Sequence, residues 1–134
     1  KNIGQSYPKR HEIDWDDKEA WEDMRKDLTT IFQFESGFAS DCFKKFKTDS
    51  ITDMALVTAC VRPSGESYRD DLLARKEHKN PSPMIDELLK DNYGYLVFQC
   101  DTIRFLQEIC GLSGSEADNV RRAIGRFLPS AIEI

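Results

Sequence analysis

No run in this 134-residue chain approaches the roughly 18 consecutive apolar residues that a membrane-spanning helix needs, so a membrane partner is not expected. The first residues, Lys1-Asn-Ile-Gly-Gln5, contain no apolar stretch of the kind a signal peptide carries. An initiating methionine is also missing, which fits a processed chain or an excised piece. Cysteine is sparse and badly spaced for metal. Cys42, Cys60, Cys100 and Cys110 form no Cys-x-x-Cys pair, so zinc and a disulfide scaffold are set aside. Three of the four sit among apolar neighbours, and buried free thiols in a reducing cytoplasm are the expectation. The two histidines, His11 and His78, stand apart from any serine, cysteine or aspartate arrangement that would make a nucleophile. There is no internal repeat and no low-complexity tract.

Positive charge is also lacking overall. The net charge is −5, and it comes from one place. The window Glu12–Asp27 holds eight acidic and three basic residues, while the rest of the chain balances at 16 of each sign. A free-standing nucleic-acid binder usually carries a net positive charge or a broad basic stripe, so this chain does not read as an independent one. With 40% apolar and 32% charged residues it has the composition of one ordinary globular domain, 1–134.

Periodicity predicts a mainly helical, all-α architecture of six or seven helices. Asp16 or Asp17 can cap a first helix to about Leu28, with Glu19 placed for a capping box. Thr30–Glu35 alternates and reads as one very short strand or an extended entry into the next helix. Phe38, Cys42, Phe43 and Phe46 give a helical stripe, with Lys44, Lys45 and Lys47 toward solvent. Ser50 and Asp53 open a third helix through about Val61, which Arg62-Pro-Ser-Gly65 ends. A fourth is expected over Ser67–Glu77, with Tyr68 and Leu72 inward. Ser82 and Pro83 start a fifth to about Asp91. After a turn at Asn92-Tyr-Gly94, a longer helix runs from about Leu96 to Cys110 and closes on Gly111.

The final helix carries the most informative pattern. At 100 degrees per residue, Arg121, Gly125, Asp118, Arg122 and Arg126 span an arc of roughly 0 to 140 degrees. Ala123, Phe127, Val120, Ile124, Ala117 and Leu128 occupy roughly 200 to 340 degrees, so this side seeks a core. Most arginines on such a face are simply solvated, but three guanidinium groups around a glycine also suit phosphate oxygens.

The residues around that helix resemble the C-family bacterial replicative DNA polymerases, the alpha subunit of DNA polymerase III. Asn92-Tyr-Gly-Tyr-Leu-Val-Phe-Gln-Cys-Asp-Thr-Ile103, a helix, Gly111, and Glu116-Ala-Asp-Asn-Val-Arg-Arg-Ala-Ile-Gly125 are similar to the family's run. There, Tyr-Gly leads to Tyr-Gln-Glu-Gln and then to Ala-Asp-x-x-Arg-Arg-Ala-Met-Gly-Lys-Lys. Ile31-Phe-Gln-Phe-Glu-Ser36 resembles the family's Val-Phe-Gln-Leu-Glu-Ser. Val61-Arg-Pro-Ser-Gly-Glu66, with Arg75-Lys76 after it, resembles its Arg-Pro-Gly-Pro block and trailing Arg-Lys. The likeness runs from about Pro8 to Phe127. Cys100 and Asp101 replace the family's Glu and Gln, and Phe127 replaces its second lysine, which suggests a diverged member such as a phage enzyme.

The resemblance implies the end of the palm and most of the fingers of a DNA-directed DNA polymerase. Arg121, Arg122 and Gln99 would meet the incoming deoxynucleoside triphosphate. Arg62, Lys76 and Arg126 would touch primer-template DNA. The palm aspartates that hold two Mg²⁺ ions are absent, so this piece would bind but perform no chemistry. The rest of the polymerase chain would be its partner, in the cytoplasm of a bacterium or a phage-infected host. Asp14, Asp16, Asp17, Asp70 and Asp71 read instead as acidic groups at helix starts. The competing reading is a stand-alone helical interaction domain that docks through the acidic Glu12–Asp27 face.

Overall fold

The computed structural model describes Gly4 and residues 6–126. The chain divides between Thr58 and Ala59 into two compact units. Among the described residues all regular structure is helical, with seven α-helices and three short 3-10 turns.

In the first unit, α1 spans Lys18–Lys26. Of the two candidate caps it is Asp17 that works: its Oδ1 accepts the amides of Glu19 and Ala20 at 3.0 and 3.2 Å. Glu19 therefore contributes its backbone amide to the cap. The helix stops short of Leu28 because Asp27 turns its carboxylate onto the Thr29 amide and hydroxyl, at 2.8 and 2.6 Å, a local alternative to the helical ladder. The alternating Thr30–Glu35 stretch is neither strand nor extended entry. It forms consecutive turns, with Ile31 donating to Leu28 and Phe34 to Ile31, and positive φ at Thr30 and Gln33.

Helix α2, Gly37–Phe46, is capped by Ser36 and buries Ala39, Cys42, Phe43 and Phe46. That set follows i, i+3, i+4, i+7, and Phe38 lies one residue off it, so Phe38 is 51% exposed where the sequence placed it inward. Phe34 meets Phe43 edge-on, ring centroids 5.3 Å apart, and Trp21 and Leu28 complete the buried set on the α1 side of the sequence. Arg25 donates Nη1 to the Thr48 carbonyl at 2.7 Å. Ser50 Oγ accepts the Asp53 amide at the start of α3, Ile51–Val61.

In the second unit a 3-10 turn over Pro63–Gly65 follows α3. Gly65 is buried, and a Cβ there would stand 2.8 Å from the Ala59 carbonyl oxygen. Helix α4 covers only Arg69–Leu73. Arg75 takes φ +54°, and the Arg75→Leu72 and Lys76→Asp71 amide bonds close a Schellman cap well before Glu77. Ser82 and Pro83 open α5, Pro83–Leu88, as expected. A second such cap, on Tyr93 (φ +56°), ends the turn that follows α5. Helix α6, Gln99–Glu108, starts three residues later than its apolar pattern, because Asp101 reaches back to the Phe98 amide at 2.8 Å.

Helix α7 spans Gly114–Gly125 behind a capping box in which Ser113 and Glu116 bond reciprocally. Leu106 of α6 and Ala117 and Val120 of α7 form one buried cluster, joined by Ile103 and Leu112. The expected apolar side of α7 thus holds at Ala117 and Val120. Ile124, one turn further, is 48% exposed, because no buried side chain follows Val120 on this helix among the described residues. Phe127, Leu128 and the expected stop before Pro129 lie outside the described residues. Of the cysteines only Cys42 and Cys60 are buried. Cys100 and Cys110 are exposed, on the first turn of α6 and just after its end, against the expectation of buried thiols.

Candidate functional site

The packing of α6 against α7 brings the three expected nucleotide-binding residues into one cluster. Arg121 donates Nε and Nη2 to Oδ1 of Asp118 at 3.0 and 2.7 Å. Its Nη1 donates to Gln99 Oε1 at 3.2 Å, bridging from the middle of α7 to the first residue of α6. Arg122 reaches the other oxygen of the same carboxylate, Nη2 to Oδ2, at 2.7 Å. The side chains are unequal in exposure, 23% for Arg121 and 60% for Arg122, with Asp118 at 33%.

Asp118 is the residue whose part the sequence reading did not see. The signal was present: an acid three and four positions before two arginines pairs with both on a helix surface. The hydrogen bond from Arg121 is the largest of the causes that hold the Asp118 carboxyl below its ordinary range, against the opposing effect of burial; Arg122 adds to it. Two cations on one anion leave this corner with a net positive charge, and guanidinium groups are the side chains best shaped to grip phosphate oxygens.

Of the three expected DNA contacts, Arg62 and Lys76 are placed elsewhere in the same unit, and Arg126 lies one turn beyond Arg122. Arg62 is exposed at the start of the Pro63–Gly65 turn. The turn's Gly65 and Glu66 amides bond to the carbonyls of Arg62 and Pro63, so they are not offered outward as an anion cradle. Arg69, unmarked in the sequence, donates Nε to the Cys60 carbonyl at 2.6 Å and Nη2 to that of Arg62 at 3.0 Å, which fixes the chain entering the turn. Lys76 is engaged by Asp71 at 3.3 Å. Arg126 is exposed and closes α7. The Arg126 backbone amide donates to the Arg122 carbonyl at 3.2 Å; among the described residues no side-chain hydrogen bond or ion pair joins Arg62, Lys76 or Arg126 to the Gln99–Arg121–Arg122 cluster.

The divergent positions are also resolved in part. Asp101 is buried and accepts from Asn92 Nδ2 at 2.7 Å, tying the Asn92-Tyr-Gly94 turn to α6. Cys100 is exposed beside it, with Sγ 3.9 Å from the Asp101 Oδ1. Gly94 takes φ +85°, and its Cβ would stand 2.1 Å from the His78 carbonyl oxygen. A cleft of about 540 Å³ beside it is lined by His78, Lys79, Asp86, Lys90, Tyr93 and others, but not by the arginine pair.

No helix among the described residues is long and apolar enough to cross a membrane. In the first unit part of the acidic segment is engaged locally. Asp14 accepts the Asp16 amide, Asp17 caps α1, and Asp23 pairs with Lys26.

A family model described as the bacterial DNA polymerase III alpha subunit finger domain matches residues 2–132 of this chain. The chain belongs to that family. DNA polymerase III subunit alpha of Aquifex aeolicus is 33% identical over 122 residues, which is 86% of this chain and 10% of that protein. The subunit of Treponema pallidum is 32% identical over 72% of this chain and 8% of its own length. That of Borreliella burgdorferi is 34% identical over 72% and 9%. The chain therefore spans about a tenth of the length of these curated relatives.

Proposed function

We propose that residues 1–134 serve as a single helical fingers domain of a larger DNA-directed DNA polymerase. In this reading the Gln99–Arg121–Arg122 cluster binds the triphosphate of the incoming deoxynucleotide. The observation that carries it is the convergence of those three side chains at the α6–α7 pair in a chain of this family. The full enzyme would join the nucleotide to a primer 3′ end, in the cytoplasm of a bacterium or a phage-infected host. Arg62, Lys76 and Arg126 are the proposed contacts to primer-template DNA.

The chain's own part is binding and electrostatics. Guanidinium donors fixed before the nucleotide arrives position its phosphates and offset the negative charge that grows on the leaving oxygens. The Mg²⁺ ions of the parent enzyme belong on carboxylates elsewhere in it. Asp118 is committed to arginine, Asp17 to a helix cap and Asp71 to Lys76, and no three His, Cys, Asp or Glu side chains among the described residues are grouped to hold a cation.

The test is steady-state incorporation by the full-length polymerase with both Arg121 and Arg122 replaced by alanine. Losing even one charged hydrogen bond to the nucleotide is expected to cost about 10- to 150-fold in kcat/KM for deoxynucleotide. Unchanged nucleotide kinetics in a folded double variant would return the pair to an ordinary solvated helix face.

A further inference from the structure

The two adjacent arginines of α7 are built in differently. A guanidinium carries five N–H donors. Arg121 commits three of its nitrogens, two to Asp118 and one to Gln99, and keeps 23% of its side chain exposed. Arg122 touches Asp118 through one nitrogen and leaves 60% of its side chain in solvent. For Arg121 to turn toward a phosphate it would have to break three hydrogen bonds and strip Gln99 of its partner, removing a polar tie between α6 and α7. Arg122 can swing or share its single contact at much lower cost.

We propose that the pair divides the work: Arg122 makes the direct contact with the nucleotide phosphate, while Asp118, Arg121 and Gln99 form a brace across α6 and α7 that sets where Arg122 points. This rests on the nucleotide-binding reading above. Asp118 sits between the two guanidinium groups, one oxygen to each, and so fixes their separation. Arg121 and Gln99 are then positioning residues.

Replacing Asp118 has two opposed effects. Removing a negative charge near the phosphate favours binding, by about threefold at several ångströms in a well-hydrated site. Releasing Arg122 from its holder weakens binding, by about tenfold for one charge-assisted bond no longer preset. The second effect is the larger, so Asp118→Asn raises the nucleotide KM.

Single-nucleotide incorporation by the full-length polymerase, with deoxynucleotide titrated at several salt concentrations, separates the roles. Arg122→Ala is expected to give the largest rise in KM and a shallower salt dependence, and Arg122→Lys to restore part of the loss, since an ammonium still meets phosphate. Arg121→Lys is expected to raise KM by about three- to tenfold, because lysine cannot span Asp118 and Gln99, and to leave the salt dependence at the wild-type slope; Arg121→Ala should exceed it only by the about threefold that the lost charge accounts for. Gln99→Ala should add little on top of Arg121→Ala, as members of one brace are not additive. Thermal melts accompany each variant, and Arg121→Lys carries the test if Arg121→Ala does not fold. Equal losses with equal lysine rescue at both arginines, or a lower KM in Asp118→Asn, would overturn the division while leaving the nucleotide site standing. Wild-type kinetics in every variant would overturn the site itself.

Discussion

Replacing Gly94 by alanine puts a single methyl group against the backbone of the segment that follows α4. Gly94 has φ +85°, and the added Cβ would lie 2.1 Å from the His78 carbonyl oxygen and 3.0 Å from its carbon. Neither is a flexible side-chain tip, so residues around His78 must move. Two hydrogen bonds depend on that approach: His78 N–H to the Tyr93 carbonyl at 2.8 Å, and Asn80 Nδ2 to the Gly94 carbonyl at 3.1 Å. The left-handed backbone costs an L-residue about 1 to 2 kcal/mol, and the two bonds are worth about 1 kcal/mol each. The sum is about 3 to 4 kcal/mol. Gly111 supplies the control, since it has φ +74° and nothing within 4 Å of where a methyl group would stand, so Gly111→Ala carries only the backbone cost of about 1 to 2 kcal/mol. Urea unfolding followed by far-ultraviolet circular dichroism compares the two. Equal destabilisation by both substitutions would refute the idea that the Tyr93-Gly94 turn needs glycine for a close approach.

Asp101→Ala leaves Asn92 Nδ2 and the Phe98 amide without their acceptor in a buried setting, and is expected to cost about 2 to 4 kcal/mol in the same assay. Both donors meet the same carboxylate oxygen, so Asp101→Asn, which keeps one carbonyl acceptor, should cost clearly less; identical losses would mean that acceptance by this oxygen is not what holds the turn. Acid should destabilise the chain through four carboxylates held below their ordinary range: Asp118 chiefly by Arg121, Asp86 by the Asn80 backbone amide, Glu116 by the Ser113 hydroxyl and Asp27 by the Thr29 hydroxyl. Their folded pKa lies under the unfolded one, so their stabilisation is present above about pH 4 and is lost as pH falls through the folded values. Carboxyl NMR titration should place Asp118 higher in Arg121→Ala than in the wild type, and no change would sever the pair.

Local chemistry made much of this protein readable before any coordinates. Ser82-Pro83 marked a helix start, as did the Asp16-Asp17 pair, of which the structure uses Asp17, because an oxygen acceptor or a fixed φ suits the first turn. The apolar spacing of Ala117 and Val120 put one side of α7 in a core, and the ordered blocks around Arg121 and Arg122 carried the family. Helix ends were less legible. Lys47, Arg75 and Tyr93 adopt the left-handed cap that sequence reading looks for at glycine, so α4 stopped early without a visible signal. Asp27, which could have continued α1, was drawn instead into a side-chain turn.

The arginine pair shows where the two levels part. That Asp118 can meet Arg121 and Arg122 follows from 3.6 residues per turn and is a property of the sequence alone. That Arg121 is tied to Gln99, 22 residues back, while Arg122 stays in solvent, depends on where α6 lies against α7. Likewise Asp101 reads as one more acidic residue until the Asn92 turn is folded over it. Spacing along a helix determines which side chains share a face. Only the packing of one helix on another decides which of them is held and which remains open, because a hydrogen bond between distant segments forms only once the apolar contacts of Leu106, Ala117 and Val120 have brought those segments together.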